Sequence, residues 1–256
     1  MRILFVIFFS FSTLFMSGCL WEEEEVRESI TLGLSPKALY NLGQESIDAG
    51  ALDEAIKTWE RLQAAYPSSK FSIQSKLDII YNLYKREKYD EGLAKLNEYI
   101  DLYPDHTSTP YAYYLRGVIS ENKSKSILDD FITDNAQRDV SSVKDALNYY
   151  LDLINLFPNS NYAEEAKLKL PILRNVLARH ELFIAVHYTI SSAHIAAINR
   201  CKFIIEKFPN TPSVPAALHL IAHNYDKINA PKLAEDARRV LKASYPKYTP
   251  HYSLED

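Results

Sequence analysis

Residues 36–67 read PKALYNLGQESIDAGALDEAIKTWERLQAAYP, and residues 215–246 read PAALHLIAHNYDKINAPKLAEDARRVLKASYP. Both close on a tyrosine followed by proline, and small and apolar residues stand at matching distances before it. In the first stretch Leu39, Leu42 and Gly43 share one face of an early helix, and Ala55, Trp59 and Leu62 share one face of a later one. The second places Leu218, Ile221, Ala222, Ala234 and Leu241 at the same offsets, with Tyr225 on the same early helix. Apolar residues recurring every three to four positions indicate amphipathic helix. Proline stops a helix, because it has no N–H to donate and its ring disfavours helical geometry in the residue before it. Each stretch is therefore a helical hairpin.

The aromatic–proline pair recurs at Tyr66-Pro67, Tyr103-Pro104, Phe157-Pro158, Phe208-Pro209 and Tyr245-Pro246, with the prolines 37, 54, 51 and 37 residues apart. A repeat of this length marks stacked supersecondary units, none of which can bury its apolar face alone. In residue type and spacing the positions resemble tetratricopeptide repeats. The expected fold is all-α, a right-handed superhelix of about five such hairpins, two major helices each. Small residues at Gly43, Ala55, Ala222 and Ala234 let paired helices approach closely. The second repeat carries Ile79, Ile80, Leu83, Gly92, Leu96 and Tyr99, with Lys76 where a large apolar residue is usual. Ser35 is placed to cap the first helix ahead of Pro36. Gly50 is suited to the residue just past a helix end, and the acidic pairs Asp53-Glu54 and Asp90-Glu91 to helix starts.

The long spacings are insertions. Gly43 and Ala55 are 12 residues apart, as are Ala222 and Ala234, but Gly117 and Ala146 are 29 apart, so about 17 extra residues fall in the third repeat, over 123–140. The run from Tyr162 to Tyr188 predicts one long helix or two, with Pro171 as the kink or break. This divides the chain into repeats over 35–122, the insertion over 123–140, and repeats over 141–256.

Composition agrees. With 47% hydrophobic and 24% charged residues the chain can form a sizeable core. A net charge of -4 leaves no electrostatic footprint for nucleic acid. The six glycines, none after Gly117, provide little material for hairpin turns or phosphate-cradling loops.

Ahead of the repeats, Met1 and Arg2 are followed by an apolar run from Ile3 to Met16, then Ser17, Gly18, Cys19, Leu20 and the acidic stretch Glu22 to Glu25. The run is shorter than the roughly 20 residues a spanning helix needs and reads as a cleaved export signal over 1–18. Small residues directly before the cysteine resemble a lipobox, here with Met16 where leucine is commonest. That resemblance implies acylation of Cys19 and an acidic tether over 19–34. Two or more acyl chains anchor stably where one does not. Leu20, in place of the aspartate common in retained inner-membrane lipoproteins, points to the outer membrane. The remaining cysteine, Cys201, reads as a buried small hydrophobe.

No Gly-rich phosphate loop, nucleophile elbow or C-x-x-C pair occurs, so no cofactor is expected and the chain is read as binding partners, not catalysing. His219 and His223 stand four apart on one helix as zinc ligands would, but H-L-I-A-H lacks the metalloprotease glutamate. A helical metal hydrolase is thus the weakest alternative. His180 with Glu181, and His187 with His194, read as solvated pairs. The repeat register points one set of residues to a groove: Lys37, Tyr40, Gln44 and Ile47; Gln74, Leu77, Tyr81 and Tyr84; Tyr111, Tyr114, Val118 and Glu121. Tyrosine offers large contact area with two torsions to freeze and a hydroxyl for peptide backbone. The competing reading is packing between repeats.

Several motifs are more specific than the repeat: Leu77-Asp78-Ile79-Ile80-Tyr81, Tyr114-Leu115-Arg116-Gly117, Gln137-Arg138-Asp139, Phe157-Pro158-Asn159-Ser160-Asn161-Tyr162 and Asn199-Arg200. With the lipobox and tether they resemble the BamD family, lipoproteins of the outer-membrane β-barrel assembly machinery, over nearly the whole mature chain. Val140 departs from the proline that often follows Arg-Asp. The resemblance implies no catalysis, and attachment to the periplasmic face of the outer membrane. It implies docking of the carboxy-terminal repeats on a POTRA domain of the BamA-like barrel-forming subunit through Arg200, with Asn199 beside it. It also implies association with other assembly lipoproteins and recognition of unfolded outer-membrane proteins by the amino-terminal repeats, at Tyr40, Gln44, Tyr81, Tyr84, Tyr111 and Tyr114. A pilotin-like repeat lipoprotein serving secretins is the alternative binding function. Arg200→Glu is expected to weaken docking and leave the helical melt nearly unchanged.

Overall fold

A computed structural model describes residues 33–123 and 140–250. Cys19, the leader and most of the tether lie outside the described residues, as do most of the 123–140 insertion and residues 251–256.

Among the described residues there are ten helices and no strand. They are α1 (Pro36–Asp48), α2 (Leu52–Ala65), α3 (Lys70–Lys85), α4 (Tyr89–Leu102), α5 (Thr109–Lys123), α6 (Ser141–Leu156), α7 (Asn161–Ile190), α8 (His194–Lys207), α9 (Ser213–Lys227) and α10 (Pro231–Ser244). The chain forms two compact units that meet in sequence between Asn82 and Leu83, within α3.

The helix ends explain why a glycine-poor chain can turn so tightly. Ser35 accepts a hydrogen bond from the Ala38 N–H at 3.3 Å, and Pro36 occupies the first helical turn. Past the first helix of four hairpins, one residue adopts left-handed geometry: Gly50 (φ 77°), Glu87 (60°), Ser192 (59°) and Asn229 (56°). The next residue donates back to the helix in each case: Ala51 to Ser46 O at 2.8 Å, Lys88 to Leu83 O at 3.0 Å, Ala193 to Tyr188 O at 2.8 Å, and Ala230 to Tyr225 O at 2.9 Å. This six-to-one closure satisfies a terminal carbonyl that water would otherwise have to reach. The second helix of each hairpin ends on the aromatic before proline, with φ between -130° and -137° at Tyr66, Tyr103, Phe157, Phe208 and Tyr245.

In the first unit α1 packs on α2. Gly43 faces the fully buried Trp59, and a methyl group at that position would overlap the indole. The indole Nε1 donates to the Tyr40 carbonyl at 3.1 Å, so the ring is held in plane as well as packed. The same arrangement returns in the second unit, where Gly117 on α5 faces the buried Tyr150 ring on α6. Arg116 beside it lies between two rings, its guanidinium carbon 4.8 Å from the Tyr113 centroid and 4.1 Å from that of Tyr149.

Within the second unit successive helices from α4 to α10 pack on one another, and α7 also contacts α5 and α9. One apolar cluster gathers Val143, Ala146, Tyr150, Leu153, Leu173 and Leu177. Another gathers Ala178, Ala185, Ile204, Ala217, Leu220 and Ile221 with Cys201, which is fully buried as expected.

Of the two readings of Tyr162 to Tyr188, the structure has the single helix. α7 runs unbroken for 30 residues with Pro171 inside it. The proline deprives the Lys167 carbonyl of its usual partner. Both residues lie on the exposed side of the helix, where water can take that place.

Candidate protein-binding surfaces

The first unit builds a polar cluster around a carboxylate. The Tyr40 hydroxyl on α1 donates to Asp78 Oδ2 on α3 at 2.7 Å, and Gln74 Nε2 donates to Oδ1 at 3.0 Å. Gln44 Nε2 lies 3.2 Å from the Tyr40 oxygen and 3.4 Å from Asp78 Oδ2. The Tyr40 ring rests against Trp59 and Phe71, at centroid distances of 6.1 and 5.5 Å. Burial raises the Asp78 carboxyl, a push that the bonds from Tyr40 and Gln74 oppose. Burial and the Asp78 charge push the Tyr40 phenol up to about 12. Tyr40 is thus a donor locked toward Asp78, half-buried and half available. Tyr81, on the same helix as Asp78, is 44% exposed.

Tyr84, Tyr111 and Tyr114 belong to the second unit. Tyr111 and Tyr114 meet over Tyr162, each at a centroid distance of 5.5 Å, and Tyr114 also lies 5.9 Å from Tyr150. Glutamates ring this aromatic group. The Tyr150 hydroxyl donates to Glu121 at 3.2 Å, Lys169 pairs with the same carboxylate at 3.3 Å, and Glu165 accepts from Tyr114. Burial, then Glu165, pushes the Tyr114 phenol up to about 12, and burial with Glu121 raises Tyr150. Tyr84 contacts the Tyr89 ring at 6.3 Å. These tyrosines are thus packed against neighbouring rings while remaining partly exposed.

Asp78, Tyr162 and Glu165 had no assigned role in the sequence reading. Their partners lie on other helices, and only the repeat register applied to polar residues could have paired them.

Further along the second unit, Asn199 is exposed on α8 and the Arg200 side chain is 43% exposed. Its Nη1 donates to Glu181 Oε2 on α7 at 3.0 Å, and the Glu181 side chain is only 7% exposed. Two expectations change. Glu181 is not a solvated partner of His180, because α7 turns it inward between Ala178 and Ala185. Nor is Arg200 a simple surface arginine: reversing its charge would set two carboxylates against each other at a buried position, so the fold itself would suffer.

Burial lowers His219 and His223, helped by Arg238 and Lys227 respectively. Nearby, His194 Nδ1 meets Asn224 Oδ1 at 2.8 Å, and the fully buried Asn224 donates to Thr189 Oγ1 at 2.9 Å. This network joins α7, α8 and α9. Among the described residues no group of three or more His, Cys, Asp or Glu could hold a metal ion, and no helix is long and apolar enough to cross a membrane.

Paired helices bearing aromatic and charged surfaces define a helical-repeat protein of the tetratricopeptide type. Residues 33–241 match the YfiO family, described as outer membrane lipoprotein. Outer membrane protein assembly factor BamD of Neisseria gonorrhoeae is 35% identical over 85% of this chain and 82% of its own length. Those of Pasteurella multocida and Xylella fastidiosa are 32% and 29% identical, over 80% and 90% of this chain and 80% and 78% of their own lengths. The chain belongs to this family of BamD outer-membrane protein assembly factors.

Proposed function

We propose that the chain is a non-catalytic scaffold, anchored by lipid at Cys19 to the periplasmic face of the outer membrane. Through α8 it holds the POTRA-bearing, BamA-like barrel-forming subunit. Through its amino-terminal repeats, at Tyr40, Gln44, Tyr81, Tyr84, Tyr111 and Tyr114, it receives aromatic-bearing segments of unfolded outer-membrane proteins, in company with other assembly lipoproteins. The observation that carries this reading is the outer face of α8. Ile195, Asn199 and Phe203 are exposed at successive turns, and the Arg200 side chain on the same helix is 43% exposed. An apolar surface with one oriented charge suits a specific protein partner, since desolvated charge pairs at interfaces contribute far more than solvated ones.

Purification of the tagged full chain from solubilised membranes tests the reading. A POTRA-containing barrel protein should come with it, and its depletion should lower the amount of barrel proteins in the outer membrane. Recovery of a secretin instead, with barrel proteins unchanged, would refute it.

A further inference from the structure

We propose that Glu181 is a positioning residue for docking: it fixes the Arg200 guanidinium so that its outer edge meets an acidic group on the partner. The inference rests on the reading of α8 as the docking helix. Glu181 sits in the middle of α7, enclosed by the apolar surroundings of Ala178 and Ala185, and Arg200 is its ion-pair partner among the described residues. A buried carboxylate without a counter-charge is costly, so the pair holds the arginine firmly in place. Guanidinium carries five donors in a rigid plane. Glu181 takes one of them from below, at 3.0 Å, and the side chain remains 43% exposed. Pinning one edge of a planar fork determines where the other edge points.

Ile195 and Phe203 are exposed on the same helix, Phe203 within one turn of Arg200. A partner that covers them removes water from around the guanidinium, so an acidic side chain there would be met in fixed geometry. The glutamate also cancels most of the arginine's long-range field. Arg200 should therefore add little to the rate of encounter and much to the lifetime of the complex, since steering depends on net charge and residence on local fit. A solvated arginine would do the reverse.

The test measures association and dissociation of the full lipidated chain, in detergent, with the purified POTRA region of the barrel-forming subunit from the same organism, at two salt concentrations. Glu181→Gln keeps the shape of the side chain and removes its charge. Glu181→Met is the second variant, an apolar residue of similar length that fills the buried site while the 43% exposed Arg200 side chain can turn to water; thermal melts show which of the two keeps the fold. Either folded variant should dissociate about two- to tenfold faster, the range expected when one long side chain must be immobilised on binding. Association should be unchanged or faster and more sensitive to salt. If Arg200→Ala weakens binding but both Glu181 variants dissociate at the wild-type rate or more slowly, the positioning role is overturned and the docking reading stands. If Arg200→Ala binds as wild type does, the docking reading falls and the inference with it.

Discussion

Replacing Gly43 with alanine sets two physical effects against each other. Alanine favours the interior of α1 over glycine by about 1 kcal/mol. The added methyl group, however, would occupy the space of the Trp59 indole, which is fully buried. Overpacking a core of this kind costs about 1–3 kcal/mol. Displacing the ring also breaks the 3.1 Å bond from Nε1 to the Tyr40 carbonyl. Leaving that donor unsatisfied costs roughly another 1–3 kcal/mol. Set against the helix gain, the expected net loss is about 1–5 kcal/mol. Denaturant unfolding followed by Trp59 fluorescence, in a Trp21→Phe background, measures it, with circular dichroism confirming that helix content is retained. The displacement should also loosen Tyr40, whose ring rests on Trp59, and so reduce binding of aromatic-bearing peptides by the intact chain. A Gly43→Ala protein as stable as wild type, with unchanged tryptophan emission, would mean that the close approach of α1 and α2 does not depend on this glycine.

Other perturbations give signed expectations. Glu87→Gly and Ser192→Gly relieve left-handed residues and should each stabilise by about 0.5–1 kcal/mol in denaturant unfolding; a loss would show that their side chains outweigh the backbone strain. Asp78 is raised in the fold, so the folded state holds its proton to higher pH than the unfolded chain does. The stability of the wild type relative to Asp78→Asn should therefore fall as pH rises through the carboxylate range, and a rise in urea titrations would contradict this. His219 and His223 are lowered, so the unfolded chain binds their protons first, and stability present at pH 7 should be lost on acidification toward pH 5. A His219→Gln/His223→Gln double variant should show a flatter profile, and an unchanged slope would remove these histidines from the account. Cys201, which burial pushes up to about 12, should react with a thiol reagent only as fast as the native chain opens; immediate labelling would contradict its burial.

The repeat was legible because its signals are local and chemical. The aromatic–proline pairs end helices for backbone reasons, and Ser35 and Gly50 announce a cap and a left-handed turn by residue type. Two further turns of the same geometry were not legible, because Glu87 and Ser192 are held there by the closing bond to the preceding helix and not by preference of their own, whereas Asn229 in the fourth is a residue type that accepts left-handed geometry. Pro171 left one helix or two open; the single helix forms, since the long buried face of α7 outweighs one lost hydrogen bond at the exposed surface. For the candidate surfaces, the register proposed Tyr40 and Gln44 but said nothing of Asp78, which lies 38 residues from Tyr40 in the chain and 2.7 Å from it in space. Arg200 was named through resemblance, whereas its tie to Glu181 depends on which way α7 is rotated.

The third hairpin is joined differently from the others. α5 and α6 pack as closely as their counterparts, with Tyr150 over Gly117, although residues 124–139 stand where the other hairpins have a tight turn. The pairing of these two helices is thus decided by their faces and not by their tether. A change in the length of chain between α5 and α6 is accordingly expected to leave the neighbouring repeats in step.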